Sequence, residues 1–436
     1  MKWLQVERST SLSGNVKIPG SKNSSLALLA ASCLSDEPVR LAGIPEIADF
    51  GVICKIAEEM DIRMLRESSG DVFIDPSHVR QASIDPLKAS MFRTAYYFVG
   101  ALLAKCGKVT LGYPGGDDFV SRPIDQHIKA LKAMGADFHF HQDYYEVAVK
   151  ELRGADIYFD MITSGATINI MLAAVRAKGT TVLRNAAQDP EVVDTANLLN
   201  QMGAKISGAG TDTIRIEGVR HLRGCSYTVI PDRLIAGAFL IAAGVTGGTI
   251  TVEDVIPEHL GACIAKLNEI GLQIELSANN QSITAFSTGK LKATRVRTAM
   301  YPGFATDLQQ PLTALLTQAP GKSIISDRVY PKRFNHVLQL RRMGADIDLR
   351  SGTAFIKGGV PLHGNLVHAT DIRAGICLLL AGLAAEGVTK ITGVQHIERG
   401  YENIVATFRS LGAKIEIIDS NEGNMEMLHA SSVTPS

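Results

Sequence analysis

A short sequence motif recurs six times along this 436-residue chain and constrains its fold more than any other feature. In its clearest form it reads Leu-x-x-Met-Gly-Ala, ends a segment with helical apolar spacing, and returns about every seventy residues. The clear copies occupy 131–136, 199–204, 267–272, 340–345 and 408–413, with a degenerate copy at 57–62. Glycine after such a segment favours a left-handed helix end, and alternating residues typical of a strand follow. The repeat predicts six units of amphipathic helix and strand.

A second kind of helix is predicted in each unit. Residues 168–177 and 374–385 are small and apolar on all sides, and each segment ends in glycine before another strand. A helix that is apolar all round is buried. Because one core seldom organises more than about 250–300 residues, we expect two domains of three units, each wrapping its apolar helices in sheet. A solenoid is the competing architecture, but the chain shows no capping repeats.

Composition excludes several classes of function. The chain has 44 basic and 44 acidic residues, so no overall field attracts it to nucleic acid or to an anionic membrane. Charges occupy residues 1–8, where a signal peptide would be apolar, and the longest apolar run, around 376–385, is too short to span a bilayer. The six cysteines are scattered without a C-x-x-C pair. We expect a cytoplasmic protein without disulfides, zinc or other metal sites.

Two polar phrases stand directly before apolar helices. Residues 20–23 place Lys22 at a predicted helix start, and 161–167 bring hydroxyls and a glycine to another. Free N–H groups at a helix start favour anions, so both phrases are candidate phosphate sites. Simple capping, with a solvated lysine in the first case, is the alternative for each.

The segment 112–125 has a different character. Its Tyr-Pro-Gly-Gly start can hardly hold regular structure, and Pro123 suits the first turn of the helix that follows. With two carboxylates and an arginine, it is interpreted as a mobile loop that closes over a bound anion, or else as an ordinary surface loop.

Cationic side chains near turns and helix starts occur in both halves of the chain. We expect them to converge on an interdomain cleft that binds a small polyanion. They are Lys22, Arg93, Arg122, Arg333, Arg373 and Arg399.

Taken in order, these phrases resemble the bacterial UDP-N-acetylglucosamine 1-carboxyvinyltransferases, relatives of EPSP synthase. The resemblance covers essentially the whole chain. The matching segments are 22–23, 91–93, 114–125, 190–197, 231–233, 306–307, 333–334, 371–373 and 396–402.

The resemblance implies an α/β fold of two inverted, barrel-like domains, each built from three βαβαββ pseudo-repeats, with the active site in the interdomain cleft. The first domain would span 21–229 and carry the mobile loop around 112–122. The second would combine 1–20 with 230–436, so that the N-terminal strand belongs to the second domain.

The resemblance also implies the reaction. The 3′-hydroxyl of a uridine nucleotide sugar would add to C2 of phosphoenolpyruvate while C3 is protonated, and the tetrahedral ketal would then lose phosphate. Both partners are small molecules, and no cofactor, metal, membrane or nucleic acid is implied. The chain is expected to be a monomer or a weak homo-oligomer.

Roles are carried over residue by residue. Asp117, Lys22, Asp307 and Arg399 would be catalytic, with Asp307 orienting or deprotonating the acceptor hydroxyl. Phosphoenolpyruvate would be bound by Lys22, Arg93, Arg122, Arg333, Arg373 and Arg399, of which Arg333 and Arg373 clamp its carboxylate. The nucleotide sugar would contact Asn23, Arg93, Arg122, Pro123, Ile124, Asp125, Thr163, Ser164, Gly165 and Asp307. Asp49 and Glu191 would complete the cleft.

Four positions depart from the family pattern. Asp117 stands where the family usually has a cysteine that acts as an acid and is the target of the epoxide antibiotic fosfomycin. A carboxyl can take over the proton transfer if the closed loop desolvates it. Met161 replaces a lysine, Gln126 an aliphatic residue beside the base, and Val120 a glycine.

Because these last changes fall on the acceptor side, a relative that acts on another nucleotide, such as uridine monophosphate, is the main alternative. The shikimate-pathway reaction is disfavoured by the long Pro-Gly-Gly loop and by Asn23 after Lys22. A non-catalytic sensor of sugar nucleotides is disfavoured by the retained cations and Asp307.

Overall fold

The computed structural model describes residues 2–79, 82–86, 93–113 and 123–419, and the chain folds into two compact units. The N-terminal unit comprises Pro19–Asp232 and Met300–Pro302, and the C-terminal unit comprises Met1–Ile18, Arg233–Ala299 and Gly303–Ser436. Each unit has its own hydrophobic core. The main changes of unit follow Ile18 and Asp232, whereas the sequence placed them after residues 20 and 229.

The strands of the described residues are numbered in chain order. They are β1 Lys2–Glu7, β2 Ser13–Lys17, β3 Val39–Ala42, β4 Arg63–Arg66, β5 Val72–Asp75, β6 Ser83–Ile84, β7 Lys108–Gly112, β8 Asp137–Phe140, β9 Tyr144–Ala148, β10 Asp156–Tyr158, β11 Thr180–Arg184, β12 Lys205–Ser207, β13 Thr213–Glu217, β14 Ser226–Thr228, β15 Thr249–Glu253, β16 Leu272–Leu276, β17 Ser282–Ser287, β18 Arg295–Arg297, β19 Gly321–Ser326, β20 Asp346–Arg350, β21 Thr353–Gly358, β22 Leu366–His368, β23 Val388–Thr392 and β24 Ile415–Asp419.

The α-helices are numbered in the same way. They are α1 Lys22–Ser32, α2 Ala48–Glu59, α3 Tyr97–Cys106, α4 Asp125–Ala133, α5 Ser164–Ala174, α6 Pro190–Gln201, α7 Arg233–Thr246, α8 Gly261–Ile270, α9 Thr306–Gln318, α10 Asn335–Arg342, α11 Ile372–Ala384, α12 Val394–Glu398 and α13 Ile404–Ser410. Short 3-10 helices cover Arg93–Tyr96 and Pro257–Leu260.

Within the described ranges the strands form six four-stranded sheets of one topology. The orders in the N-terminal unit are β14-β3-β5-β4, β6-β7-β9-β8 and β10-β11-β13-β12, and those in the C-terminal unit are β2-β15-β17-β16, β18-β19-β21-β20 and β22-β23-β1-β24. The first two strands of each order are parallel, as in β10 and β11, and the other pairings are antiparallel. In the four sheets that begin with β6, β10, β18 and β22, a buried helix leads from the first strand to the second. In each repeat an amphipathic helix then follows the second strand. This arrangement confirms the predicted α/β fold of six βαβαββ repeats, three to a unit.

Three strands complete repeats that lie far away in the sequence. β14 pairs with β3, β2 pairs with β15, and β1 lies between β23 and β24. Each of these pairings stays within one unit, so the first seventeen residues supply two strands to the C-terminal unit.

The small apolar helices form the centre of each unit, as predicted. In the N-terminal unit α3 packs against both α1 and α5, and in the C-terminal unit α7, α9 and α11 pack pairwise. Their residues are buried on nearly all sides. In the part of the chain that the structure covers, no helix combines the length and the apolar character needed to cross a membrane.

The repeated glycines end the amphipathic helices in the left-handed conformation that the sequence predicts. Their φ angles are 98° at Gly135, 106° at Gly203, 107° at Gly271, 96° at Gly344 and 97° at Gly412. In the degenerate copy Asp61 adopts the same conformation, with φ 58°. The phrase therefore terminates helices and carries architecture in all six copies.

Candidate functional site

Three predicted site residues form one ion-pair cluster in the C-terminal unit. Asp307 lies in the first turn of α9, and its Oδ1 accepts a hydrogen bond from Nη1 of Arg333. Its Oδ2 accepts from Nε of Arg373 at 3.0 Å, and Nη2 of Arg373 lies 2.9 Å away. Both arginine side chains are buried, whereas 24% of the Asp307 side chain is exposed. The carboxylate is thus held from two sides and keeps a face toward solvent.

A second carboxylate supports this cluster from behind. Asp371 is the N-cap of α11, and its Oδ1 accepts hydrogen bonds from the backbone N–H groups of Arg373 at 2.9 Å and Ala374 at 3.2 Å. The same oxygen lies 3.8 Å from Nη2 of Arg333. Burial alone would lower the pKa of Arg333, but the charges of Asp307 and Asp371 raise it above its usual value. The guanidinium therefore stays charged although it is buried.

Arg399, also predicted from the sequence, follows α12 close to the same helix start. It is half-buried, and the next residue is Gly400. A Cβ at Gly400 would lie 2.5 Å from Cγ2 of Ile372, the first residue of α11. Such close approach places the backbone at Arg399 beside the turn that carries Arg373.

Lys22 occupies the start of α1 in the N-terminal unit, as predicted. Its side chain is buried, and its backbone N–H donates to Oδ2 of Asp232 at 3.1 Å. Ser21 caps the helix by accepting from the N–H of Ser24 at 3.3 Å. The serine cap is therefore present, but the lysine is buried and not solvated as the capping alternative expected. Anion binding by Lys22 stays a prediction. Asn23 is exposed on the first turn of the same helix.

Thr163, Ser164 and Gly165 form the start of α5, where the sequence placed the second candidate phosphate site. Thr163 is the N-cap and accepts from the N–H of Ala166 at 3.3 Å. Ser164 donates from Oγ to Asp189 at 2.8 Å. A Cβ at Gly165 would lie 2.4 Å from the hydroxyl of Tyr96, so only glycine fits this approach. Capping is confirmed here too, and the site for phosphate stays a prediction.

Gln126, which stands where the family usually has an aliphatic residue beside the base, bonds within its own unit. Its side chain is buried, accepts from the backbone N–H of Asp160 at 2.9 Å, and donates to Oδ2 of Asp160 at 3.1 Å. It ties the start of α4 to the segment before α5. Met161, by contrast, is 57% exposed. Gln126 can be buried because Asp160 satisfies its amide donor and acceptor.

The remaining predicted residues of the N-terminal unit differ in how far they are exposed and in whether the structure describes them. Pro123 and Asp125 are exposed at the start of α4, Ile124 between them is half-buried, and Glu191 is buried in the first turn of α6. The side chains of Arg93 and Asp49 are not among those described. Asp117, Val120 and Arg122 lie outside the described residues.

Buried carboxylates with no predicted role hold several of these helix starts. Asp194 accepts from the hydroxyls of Ser24 and Tyr227, the latter at 2.6 Å. Burial raises the pKa of Asp194 above its usual value even though these donors favour the charged form. For Asp371 the signal was available in the sequence, since aspartate directly before an apolar helix is a preferred N-cap. For Asp194 and Asp232 no local pattern indicates the long-range partner.

His336 lies behind the Asp307 cluster and gives the protein a testable pH dependence. It is fully buried, and its Nε2 lies 3.3 Å from Oγ1 of Thr313. Burial lowers its pKa from the usual 6.5 to about 3. Between these values the unfolded chain binds more protons than the folded one, so stability is lost as pH falls below 6.5.

We expect the free energy of unfolding to fall by about 2 kcal/mol between pH 7 and pH 5 through His336 alone. Urea unfolding at the two pH values should show this drop in the native protein and a correspondingly smaller one in His336→Gln. The control is His221→Gln, whose imidazole is 90% exposed and should leave the drop unchanged. An equal drop in native protein and His336→Gln would contradict the prediction.

Comparison with known proteins gives relatives along almost the whole chain. Residues 6–408 match the model of the family EPSP synthase (3-phosphoshikimate 1-carboxyvinyltransferase). UDP-N-acetylglucosamine 1-carboxyvinyltransferase 2 of Bacillus anthracis is 46% identical over 415 residues, which cover 95% of this chain and 96% of that protein.

Two solved structures share the fold. The enolpyruvyl transferase NikO from Streptomyces tendae has a TM-score of 0.86 at 24% identity, covering 95% of this chain and 98% of that one. EPSP synthase from Acinetobacter baumannii has a TM-score of 0.74 at 18% identity, covering 96% and 100%. These matches confirm the two-domain α/β fold. The family match over residues 6–408 and the 46% identity to the Bacillus anthracis enzyme show that the chain belongs to the EPSP synthase family and, within it, to the UDP-N-acetylglucosamine 1-carboxyvinyltransferases.

Proposed function

We propose that this protein transfers the enolpyruvyl group of phosphoenolpyruvate to the 3′-hydroxyl of UDP-N-acetylglucosamine, the first committed step of peptidoglycan synthesis. The hydroxyl oxygen bonds to C2 of phosphoenolpyruvate while C3 takes up a proton. The tetrahedral ketal then loses a proton from C3, and the bond from C2 to the phosphate oxygen breaks. The products are the enolpyruvyl ether of the nucleotide sugar and inorganic phosphate.

The observation that carries this proposal is Asp307 held between two buried guanidinium groups. A hydroxyl that attacks carbon must lose its proton, and a fixed, partly exposed carboxylate can accept it. Arg333 and Arg373 hold that carboxylate in one place, and their planar donors also suit the carboxylate of phosphoenolpyruvate. The same cluster therefore serves the base and the donor substrate.

The departing phosphate requires positive charge that is already in place. We assign this role to Lys22 at the start of α1, with Arg122 and Arg399, and we assign Arg93 to both substrates. The helix start at Lys22 adds backbone dipoles that favour an anion. Asp117 is proposed as the acid that protonates C3.

We assign the nucleotide sugar to the helix starts of the N-terminal unit. Asn23, Pro123, Ile124, Asp125, Thr163, Ser164 and Gly165 would lie along it. The hydroxyls and backbone N–H groups at the start of α5 suit a diphosphate, because free donors at a helix start favour an anion. Asp49 and Glu191 are proposed to complete the site.

One observation favours a second acceptor. Met161 is exposed directly before the start of α5, where the family usually has a lysine. Without that cation a diphosphate loses one partner, so a nucleotide with a single phosphate, such as uridine monophosphate, is the second candidate.

Purified protein should release inorganic phosphate from phosphoenolpyruvate when UDP-N-acetylglucosamine is added, and not in its absence. Parallel assays with uridine monophosphate and with 3-phosphoshikimate measure kcat/KM for the alternative acceptors. We expect UDP-N-acetylglucosamine to give the highest value. A folded protein that releases no phosphate with any acceptor would contradict enolpyruvyl transfer, and a preference for uridine monophosphate would replace the acceptor.

A further inference from the structure

A further buried carboxylate, Asp327, lies beside the Asp307 cluster and directly follows β19. It is 2% exposed, and its two oxygens accept four hydrogen bonds. Oδ1 accepts from Oγ1 of Thr298 at 2.7 Å and from the backbone N–H groups of Val329 at 2.9 Å and Tyr330 at 2.7 Å. Oδ2 accepts from Oγ1 of Thr306 at 2.7 Å. A charge this deeply buried is stable only with such donors, and their number fixes its position.

One of these bonds anchors the helix that carries Asp307. Thr306 is the first residue of α9 and directly precedes Asp307. The N-cap of α9 is Ala305, which has no side chain that could cap the helix, whereas Asp371 caps its own helix α11. The carboxylate of Asp327 reaches the first turn of α9 from the end of a neighbouring strand. There a negative charge interacts favourably with the positive end of the helix dipole.

The bond to Tyr330 anchors the turn that carries Arg333. The backbone N–H of Arg333 donates to the carbonyl of Tyr330 at 2.9 Å, and the Arg333 guanidinium lies 5.9 Å from the centre of the Tyr330 ring. Asp327 therefore anchors both the first turn of α9, which carries Asp307, and the turn that carries Arg333. These two segments belong to separate elements of the fold.

We propose that Asp327 is a positioning residue of the enolpyruvyl transfer, which sets the carboxylate of Asp307 against Arg333 through Thr306 and Tyr330. This inference rests on the proposed function, because it assigns Asp307 the proton of the acceptor hydroxyl. A shift of about 1 Å in a reacting group can cost about 100-fold in rate. Loss of the anchor should therefore lower kcat more than it changes substrate binding.

The test replaces Thr306 by valine, which keeps the shape of the side chain and removes only the hydroxyl bonded to Asp327. We expect kcat to fall about 10- to 100-fold at saturating substrates, with less change in KM for either substrate. Thr306→Ser restores the hydroxyl and should restore most of kcat. Thr246→Val is the matched control, since Thr246 is also buried in the C-terminal unit but its hydroxyl donates to the carbonyl of Ala242 in its own helix, at 2.9 Å.

Asp327→Asn provides a second measurement if Thr306→Val does not fold, as judged by circular dichroism. The amide oxygen can still accept at Oδ1, but the charge is lost, so kcat should fall in the same direction. Native kcat in a folded Thr306→Val protein, or a Thr306→Ser protein as impaired as Thr306→Val, would overturn the positioning role. A native protein that releases no phosphate would instead overturn the proposed function itself, so the two failures are distinguishable.

Discussion

Replacement of Asp307 by asparagine should lower kcat about 10²- to 10⁴-fold. The amide has nearly the same shape, but it is not basic and cannot take the proton of the acceptor hydroxyl. It also leaves Arg333 and Arg373, both buried, with less negative charge around them. The measurement is steady-state phosphate release with saturating phosphoenolpyruvate and UDP-N-acetylglucosamine, on protein whose fold is checked by circular dichroism.

A measurement of stability shows whether a lower kcat comes from the loss of the base or from an unfolded protein. Removing one partner of a buried ion pair costs about 3–5 kcal/mol, so we expect a lower melting temperature for Asp307→Asn as well. Asp348→Asn is the matched control, because Asp348 also pairs with an arginine of the C-terminal unit, at 2.6 Å, but on the surface. It should keep native kcat and stability. A folded Asp307→Asn protein with native kcat would remove Asp307 from the chemistry.

The helices and repeats could be predicted from the sequence because their signals are local. A helical run that ends in glycine, as at Gly135, determines its own boundary, and an apolar segment such as α11 must be buried wherever it lies. The strand exchange could not be predicted in this way. β2 and β14 complete repeats whose other strands are distant in the chain, and no short pattern specifies such a partner.

In the candidate site, too, some residues could be predicted from the sequence and others could not. Asp307, Arg333 and Arg373 were predicted because the family resemblance names them, and the structure brings them together. Asp327 was not predicted, since its partners are two backbone N–H groups and two hydroxyls from three separate segments. The bonds from Gln126 to Asp160 were not predicted either, although a buried amide must satisfy its own donors and acceptor; its place beside the base stays a prediction.

Asp117 carries the prediction with the clearest chemical signature. In the proposed mechanism its carboxyl donates the proton to C3 of phosphoenolpyruvate, which requires the protonated form near neutral pH. Asp117→Asn has no proton to give, and we expect it to lose most activity, about 10²- to 10⁴-fold in kcat. Asp117→Cys keeps an acidic proton and should stay active.

Fosfomycin distinguishes the two acids by their nucleophilicity. A thiolate attacks the epoxide carbon, so that a carbon–sulfur bond forms, the carbon–oxygen bond of the ring opens, and the oxygen takes up a proton. A carboxylate is a much poorer nucleophile toward the same carbon. The native protein should therefore retain its activity after incubation with micromolar fosfomycin, whereas Asp117→Cys should lose activity with time and gain the mass of the drug. The matched control is the native protein, whose six cysteines should gain no mass under the same conditions. Inactivation of the native protein by micromolar drug, or a resistant and active Asp117→Cys protein, would show that residue 117 is not the group that meets the epoxide.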